Sequence, residues 1–414
     1  MPGVQAATAP AIGGRSGHRR RKTRSDDSFA HRVRRSARRA WQAVAAYAVV
    51  RCLGVAAVLV RTDEGGPGLG TILAARYDAI YYLHIAEYGY AAPMANDCVV
   101  QGALCKYAFF PLYPGLIRGF SAVLPLPVGW VAWGIAAIAS LLAAWGIFSV
   151  AERVAGRRTG VIAVVLWGIA PHAMVESMAY TEPVFTALSA WALYAALSHR
   201  WTQAGLLASL AGLTRPSGSA VVAAVVLTAL WTMFVSHRRR EEASVRGDRT
   251  GPLLVAVLVA PLGWCAWFAW VGYRAGDWRG YFQVQEKWGS AFDGGRFTFH
   301  RIADMFLQRS LTLNTAVVAA TIISAVVLFV LCVQQRQHPA LLIYAGVLLL
   351  IAVGGEGYFH SKARFLLPAF PLLLPIAQGL AKARPRTAYT LLAASTLLSS
   401  AYGVYLMLVW QRSP

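Results

Sequence analysis

Long, nearly uncharged apolar blocks recur through most of this 414-residue chain, and no other feature constrains its fold as strongly. Blocks of about 17 to 25 residues have the length an α-helix needs to cross a hydrocarbon core of roughly 30 Å at 1.5 Å per residue. In lipid, backbone N–H and C=O groups must be satisfied within the protein, so such blocks fold as helices. Composition agrees. Apolar residues make up 57% of the chain and charged residues 14%, against roughly 25% charged in a soluble domain. The expected fold class is therefore an all-α polytopic membrane protein.

Reading the blocks and their breaks gives eleven spans: 41–60, 127–150, 160–177, 180–198, 203–214, 217–236, 252–272, 313–333, 339–354, 365–381 and 388–410. The block 203–214 is short, so the hairpin it forms with 217–236 need not cross fully. A further block, 107–124, is interrupted by Pro111, Pro114 and Arg118. It is expected as a helix in the interface or packed on the bundle. This divides the chain into a disordered basic tail, 1–40, and a transmembrane domain, 41–410, with two long outer loops at 61–126 and 273–312.

Charge then orients the spans. The net charge of +21 could suggest nucleic acid, but the tail alone holds eleven Arg and Lys against Asp26 and Asp27, and no nucleic-acid module is visible. Basic segments beside a first span stay cytoplasmic. With the N-terminus inside, the inner segments carry 24 Lys and Arg and the outer segments 14, and Arg51 lies within the first span. Twelve of the eighteen acids fall outside. Any chemistry is expected to face outward. Cys98 and Cys105 share the first outer loop, where they could form a disulfide or remain two thiols. No CxxC pair, His cluster or acidic triad suggests a metal site.

The most informative stretch is RYDAIYYLHIAEYGY, residues 76–90. At helical spacing Asp78, Tyr81, Tyr82, Ile85 and Ala86 share one face, which sets a carboxylate among aromatic rings at the membrane surface. That pattern fits either an interfacial helix with an aromatic belt or a site. Other charges gather at outer turns: Glu176 and Glu182 flank ESMAYTEP, Arg215 sits in LTRPSG, and Glu356, His360, Lys362 and Arg364 lie in GGEGYFHSKARFLLP. Singly, each reads as a helix-end charge reaching water. Together they offer what an anionic lipid headgroup requires, the planar fork of Arg and the point charge of Lys.

RYDAIYYLHIAEYGY followed by YAFFPLYPGLIR resembles the first luminal-loop signature of the PIG-V mannosyltransferases. YTEPVFTALSAWALYAAL with AGLLASLAGLTRPSG, and KARFLLPAFPLLLPIA, resemble later blocks of the same family, in the same order. The resemblance implies a GT-C-type helical bundle with interfacial helices in its first outer loop. It also implies transfer of mannose from polyprenyl- or dolichyl-phosphate mannose to an acceptor hydroxyl, with inversion. Carried over residue by residue, it makes Asp78 the catalytic carboxylate, expected as general base, Glu182 and Arg215 site residues, and Lys362 and Arg364 candidates for the donor phosphate. Tyr77, which stands where the family has Trp, and Tyr81 and Tyr82 could stack on sugar or anchor in the interface. The insert AAPMANDCVVQGALCK departs from the family pattern.

The expected partners are thus the bilayer, polyprenyl-phosphate mannose, and a glycan, lipoglycan or glycoprotein acceptor. No cofactor is expected, because cations around the departing phosphate can replace a metal. The Arg- and Ala-rich composition reads as bacterial, which implies the plasma membrane and an acceptor not tied to glycosylphosphatidylinositol. Another polyprenyl-phosphate sugar, or a lipid-carrier flippase, are the competing readings. Against the latter, only Arg51 is charged well inside a span and no internal repeat is visible.

Overall fold

The computed structural model describes residues 29–62, 67–94, 104–241, 250–307, 312–410 and 412–414. Among these residues helices dominate, and the sole β pairing is an isolated bridge between Phe292 and Gly355. The chain is a multi-pass membrane protein. Among the described residues six helices are long and apolar enough to cross a bilayer: Val33–Arg61, Val128–Ala155, Gly218–Arg238, Thr250–Ala275, Leu313–Gln334 and Pro385–Val409.

The structure and the eleven sequence blocks differ in instructive ways. The block 365–381 belongs to a pair of helical segments, Phe359–Phe365 and Phe370–Lys382, bent by 78° at the break. Pro368 lies in that break and Pro371 in the first turn of the second segment; proline removes a backbone donor and crowds the preceding turn. The blocks 160–177, 180–198, 203–214 and 339–354 correspond to helices of 12, 16, 12 and 16 residues: Arg157–Gly168, Glu182–Leu197, Trp201–Gly212 and Pro339–Gly354. The block 107–124 becomes a 3₁₀ turn, Cys105–Ala108, and a ten-residue helix, Leu112–Ser121. The first helix reaches back to Phe29, through basic residues assigned by sequence to the disordered tail. Arg and Ala are good helix formers, and an established helix propagates through them cheaply.

The chain divides after Arg39, and the unit Ala40–Pro414 carries everything described below. Its core is built largely from alanine, with Ala143, Ala144, Ala190, Ala204, Ala208, Ala224 and Ala256 almost fully buried. Small residues let helix backbones approach closely, which is how helices gain packing energy where lipid supplies no hydrophobic drive. Gly263 is the extreme case: a Cβ there would collide with the Ser209 carbonyl oxygen, and its own N–H donates to Ser209 Oγ at 2.9 Å.

Cross-links between short elements draw several turns to one end of the bundle. The Ala179 N–H donates to Leu73 O at 2.7 Å, and the Leu112 N–H to Leu213 O at 3.0 Å. The Trp167 indole donates to Leu367 O at 3.1 Å. In the first outer loop, the Lys106 ammonium donates to Gly89 O and Ala92 O, just past the end of the helix Asp78–Tyr88. That favours the negative end of the helix dipole, and burial holds this ammonium below its ordinary pKa. Cys105 is held in a disulfide, while Cys98 lies outside the described residues.

Candidate active site

Asp78 begins the eleven-residue helix Asp78–Tyr88, immediately after Tyr77, whose backbone turns sharply at φ 56° and ψ −127°. A bulky residue in that region carries strain of order 1–3 kcal/mol and needs its surroundings to hold it. Here the Tyr77 hydroxyl donates to Trp410 O at 3.1 Å, and the Arg76 guanidinium lies 4.6 Å over its ring. Burial raises the pKa of this phenol, so it remains a donor. The bend aims the Asp78 carboxylate toward Arg364, with Asp78 Oδ2 2.7 Å from the guanidinium NH1.

Four charged side chains meet at this point from four separate parts of the chain. Glu182, at the start of the helix Glu182–Leu197, presents Oε1 to Arg215 NH1 and, at 3.4 Å, to Arg364 Nε. Neither contact is aligned as a hydrogen bond, so the attraction is between charges rather than along an N–H. Glu182 is only 2% exposed, whereas the Asp78 side chain is 28% exposed. That difference separates the roles: Glu182 is a buried counterion held between two guanidiniums, and Asp78 is the carboxylate an incoming molecule can reach.

A polar second ring fixes these charges. The Asp78 N–H donates to the Tyr180 hydroxyl at 3.2 Å. Thr181 Oγ1 accepts from Arg215 at 3.3 Å and shares a hydrogen bond with the Tyr82 hydroxyl at 3.2 Å. Arg364 lies over the rings of Tyr180 at 5.3 Å and Phe365 at 5.2 Å, a cation–π arrangement that leaves the edge of its fork toward Asp78 and Glu182. Burial, opposed in part by Arg215, pushes the Tyr82 pKa far up, so Tyr82 stays a neutral hydroxyl. Ser413 also enters the site. Its hydroxyl is 3.4 Å from Asp78 Oδ1 and 3.3 Å from Arg364 NH1.

The sequence-derived residues therefore separate. Asp78, Glu182, Arg215 and Arg364 converge, and Tyr82 joins them through Thr181. Tyr81 packs instead on Phe109, with ring centroids 4.7 Å apart, and meets Trp288 edge-on at 5.3 Å. Tyr77 faces Trp410. Lys362 points elsewhere: it is 2% exposed and donates to Ala352 O at 2.8 Å and to Gly355 O, capping the helix Pro339–Gly354. Tyr180, Thr181 and Ser413 were not singled out by sequence. The first two sit inside the turn already marked by Glu176 and Glu182, so their neighbours gave a signal, whereas nothing near Ser413 did.

A cavity of about 330 Å³ lies between the helix Leu313–Gln334 and the bent pair of segments. Its walls include Val317, Leu328, Ala363, Leu366, Leu367 and Ile376, and Thr321 and Ser324 are its polar side chains. Ala363, on its wall, immediately precedes Arg364 in the chain. No group of three His, Cys, Asp or Glu side chains able to hold a metal occurs among the described residues.

Residues 110–267 match the sequence model of a family described as dolichyl-phosphate-mannose-protein mannosyltransferase. That range contains Glu182 and Arg215 and excludes Asp78 and Arg364. No curated protein matches the chain. Among solved structures, apo ArnT from Cupriavidus metallidurans is similar at 16% identity and a TM-score of 0.53, over 90% of this chain and 65% of that one. The same protein bound to undecaprenyl phosphate is 16% identical with a TM-score of 0.51, over 86% of this chain and 63% of that one. The apo oligosaccharyltransferase of Archaeoglobus fulgidus is 17% identical over 88% of this chain and 56% of that one, with a TM-score of 0.46. The chain spans just under two thirds of the length of the ArnT chains it matches. At this identity the ArnT likeness shows the fold, a GT-C-type helical bundle.

Proposed function

We propose that this chain is a membrane glycosyltransferase that moves a sugar from a polyprenyl-phosphate carrier to an acceptor hydroxyl, with Asp78 as general base. The observation that carries the reading is the Asp78–Arg364 pair with an alcohol beside it. The Ser413 hydroxyl reaches both Asp78 Oδ1 and Arg364 NH1, so the space admits an alcohol oxygen against a carboxylate. An acceptor hydroxyl cannot ionise by itself near neutral pH, and a positioned carboxylate takes its proton as the new C–O bond forms. Arg364 and Arg215 stabilise the negative charge growing on the departing lipid phosphate, and the fork of Arg suits phosphate oxygens. Donor phosphate drawing Arg364 away from Asp78 would free that carboxylate for the proton.

Three further observations support the reading. The match over residues 110–267 is to a family described as using dolichyl-phosphate mannose. The similar ArnT binds undecaprenyl phosphate. The apolar cavity by Ala363 suits an isoprenoid tail. Mannose as the sugar rests on the PIG-V resemblance, and single displacement by the acceptor inverts the anomeric centre. The ArnT likeness keeps other polyprenyl-phosphate sugars open as the alternative. We place the site at the extracytoplasmic face of the plasma membrane with the N-terminus cytoplasmic, on the charge asymmetry of the loops. Transfer proceeds without a divalent metal in this reading, because two guanidiniums already face the phosphate; full activity in EDTA is the corresponding expectation.

The test is transfer from labelled undecaprenyl-phosphate mannose in proteoliposomes, with membranes of a strain lacking this chain as acceptor source. Asp78→Asn should lower turnover by about 10²–10⁴-fold, the contribution of general base catalysis. Near wild-type turnover removes Asp78 from the role. Competition by polyprenyl-phosphate glucose or arabinose at lower concentration than mannose reassigns the sugar, and flipping of the carrier without transfer replaces the enzyme by a transporter.

A further inference from the structure

A second buried polar cluster lies away from the reacting groups, where the first span meets the turn that precedes Glu182. Arg51 is 9% exposed and all three of its nitrogens are engaged. Nε donates to Ser177 Oγ at 3.0 Å, NH1 to Gly168 O at 2.9 Å, and NH2 to Met174 Sδ at 3.4 Å. One turn earlier on the same helix, the Tyr47 hydroxyl donates to Glu176 Oε2 at 2.9 Å. Glu176 is 1% exposed and within electrostatic reach of Arg51. From the other side, the Trp133 indole donates to Ser177 O at 3.0 Å. Close packing locks the contact, since a Cβ on Gly168 would come within 2.8 Å of the Tyr47 ring.

These bonds grip both ends of one connection, from Gly168 at the end of a helix to Ser177 at the end of the 3₁₀ turn Ala173–Ser177. Three residues beyond Ser177 comes Tyr180, which accepts the Asp78 N–H; next comes Thr181, which holds Arg215 and Tyr82; then Glu182, set between two guanidiniums. We infer that Arg51, with Tyr47 and Glu176 beside it, is a positioning residue that sets the register of this active-site turn. Burying a guanidinium and a carboxylate among apolar helices is costly, and apolar side chains could hold two helices together without that cost. What apolar contacts cannot supply is direction. A planar guanidinium binding three points at once fixes the turn in both translation and rotation, whereas a Lys ammonium is a single flexible point. The inference rests on the proposed transfer reaction, because that reaction makes the placement of Tyr180, Thr181 and Glu182 matter.

The transfer assay above tests it with Arg51→Met, Arg51→Lys, Ser177→Ala and the double variant Arg51→Met/Ser177→Ala, each first checked for wild-type elution and helicity. A displacement of about 1 Å in such a turn costs on the order of 100-fold in rate. Arg51→Met should lower kcat by about that factor while donor KM stays within about threefold, and Arg51→Lys should not restore it. Because both residues act through one contact, the double variant should be no slower than Arg51→Met alone. A folded Arg51→Met protein with wild-type kcat, a rise in KM with kcat unchanged, or losses that multiply in the double variant would each overturn the inference. Should Arg51→Met fail to fold, Ser177→Ala decides: about a tenfold lower kcat supports the positioning role, and wild-type kcat ends it. If the wild-type protein itself transfers nothing, the proposed function falls and takes this inference with it. If wild type transfers and the variants match it, this inference alone falls.

Discussion

Glu182 offers the sharpest test of the charged cluster, because Glu182→Gln removes a charge while keeping the volume. Its Oε1 faces Arg215 NH1 closely and Arg364 Nε at 3.4 Å, in surroundings where Glu182 is 2% exposed. At an effective dielectric constant near 20, two unit charges about 4 Å apart attract by roughly 4 kcal/mol. Two such partners give a gross attraction of about 8 kcal/mol. Desolvating the carboxylate takes back several kcal/mol, and breaking a buried pair typically costs about 3–5 kcal/mol net. The expected loss of stability is therefore about 3 kcal/mol, read as a lower unfolding midpoint by tryptophan fluorescence in detergent. The variant should also bind a replacement anion better. Undecaprenyl phosphate at 100 times its Kd stabilises a native protein by about 2.7 kcal/mol. With the competing carboxylate gone, a tenfold tighter Kd would add about 1.4 kcal/mol at the same lipid concentration. Equal stabilisation of variant and wild type by the lipid would refute the expectation that removing the Glu182 charge strengthens phosphate binding, and an unchanged midpoint without lipid would refute the charge balance itself.

Arg215→Ala should weaken use of the donor, raising its KM or lowering kcat/KM by at least tenfold in the proteoliposome assay; unchanged donor kinetics would take Arg215 out of the site. Gly263→Ala should cost about 2 kcal/mol, within the range for overpacking, because its methyl group meets the Ser209 carbonyl at a helix crossing; a wild-type unfolding midpoint would contradict that contact. Asp293 accepts N–H bonds from Phe297 at 2.6 Å and Gly295 at 2.8 Å at the start of the helix Arg296–Leu307, and these bonds, the one from Phe297 foremost, hold its carboxyl below the usual carboxylate range. A lowered carboxyl pKa contributes stability above its unfolded value that is lost as pH falls through the folded one. Hydrogen exchange at the Phe297 amide should therefore quicken as pH drops below about 4, beyond the change intrinsic to exchange chemistry, and Asp293→Asn should flatten that extra dependence.

How much of this was readable from the chain alone depends on the range of the forces involved. Hydrophobic length is local and lipid leaves the backbone no alternative, so the helical membrane class followed from the apolar blocks. The same locality marked the turns around Asp78, Glu182, Arg215 and Arg364, because charges interrupting apolar helices stand out at span ends. Span limits were less legible. One block is bent by 78° at a break that contains Pro368, and neighbours bury helices such as Glu182–Leu197 whatever their length.

Which charges meet was decided only in three dimensions. Asp78 and Arg364 are 286 residues apart, and no pattern within either segment specifies that one carboxylate finds that guanidinium. Lys362 shows the converse. It stands two residues before Arg364 in the same motif, but two helical steps turn a side chain by about 200°, so the ammonium caps the helix Pro339–Gly354 while the guanidinium enters the site. Sequence fixes the kind of residue at each turn, because burial and lipid act on neighbours along the chain. Which face each turn offers to the others is settled by packing, in which helices from distant parts of the chain set one another's rotation.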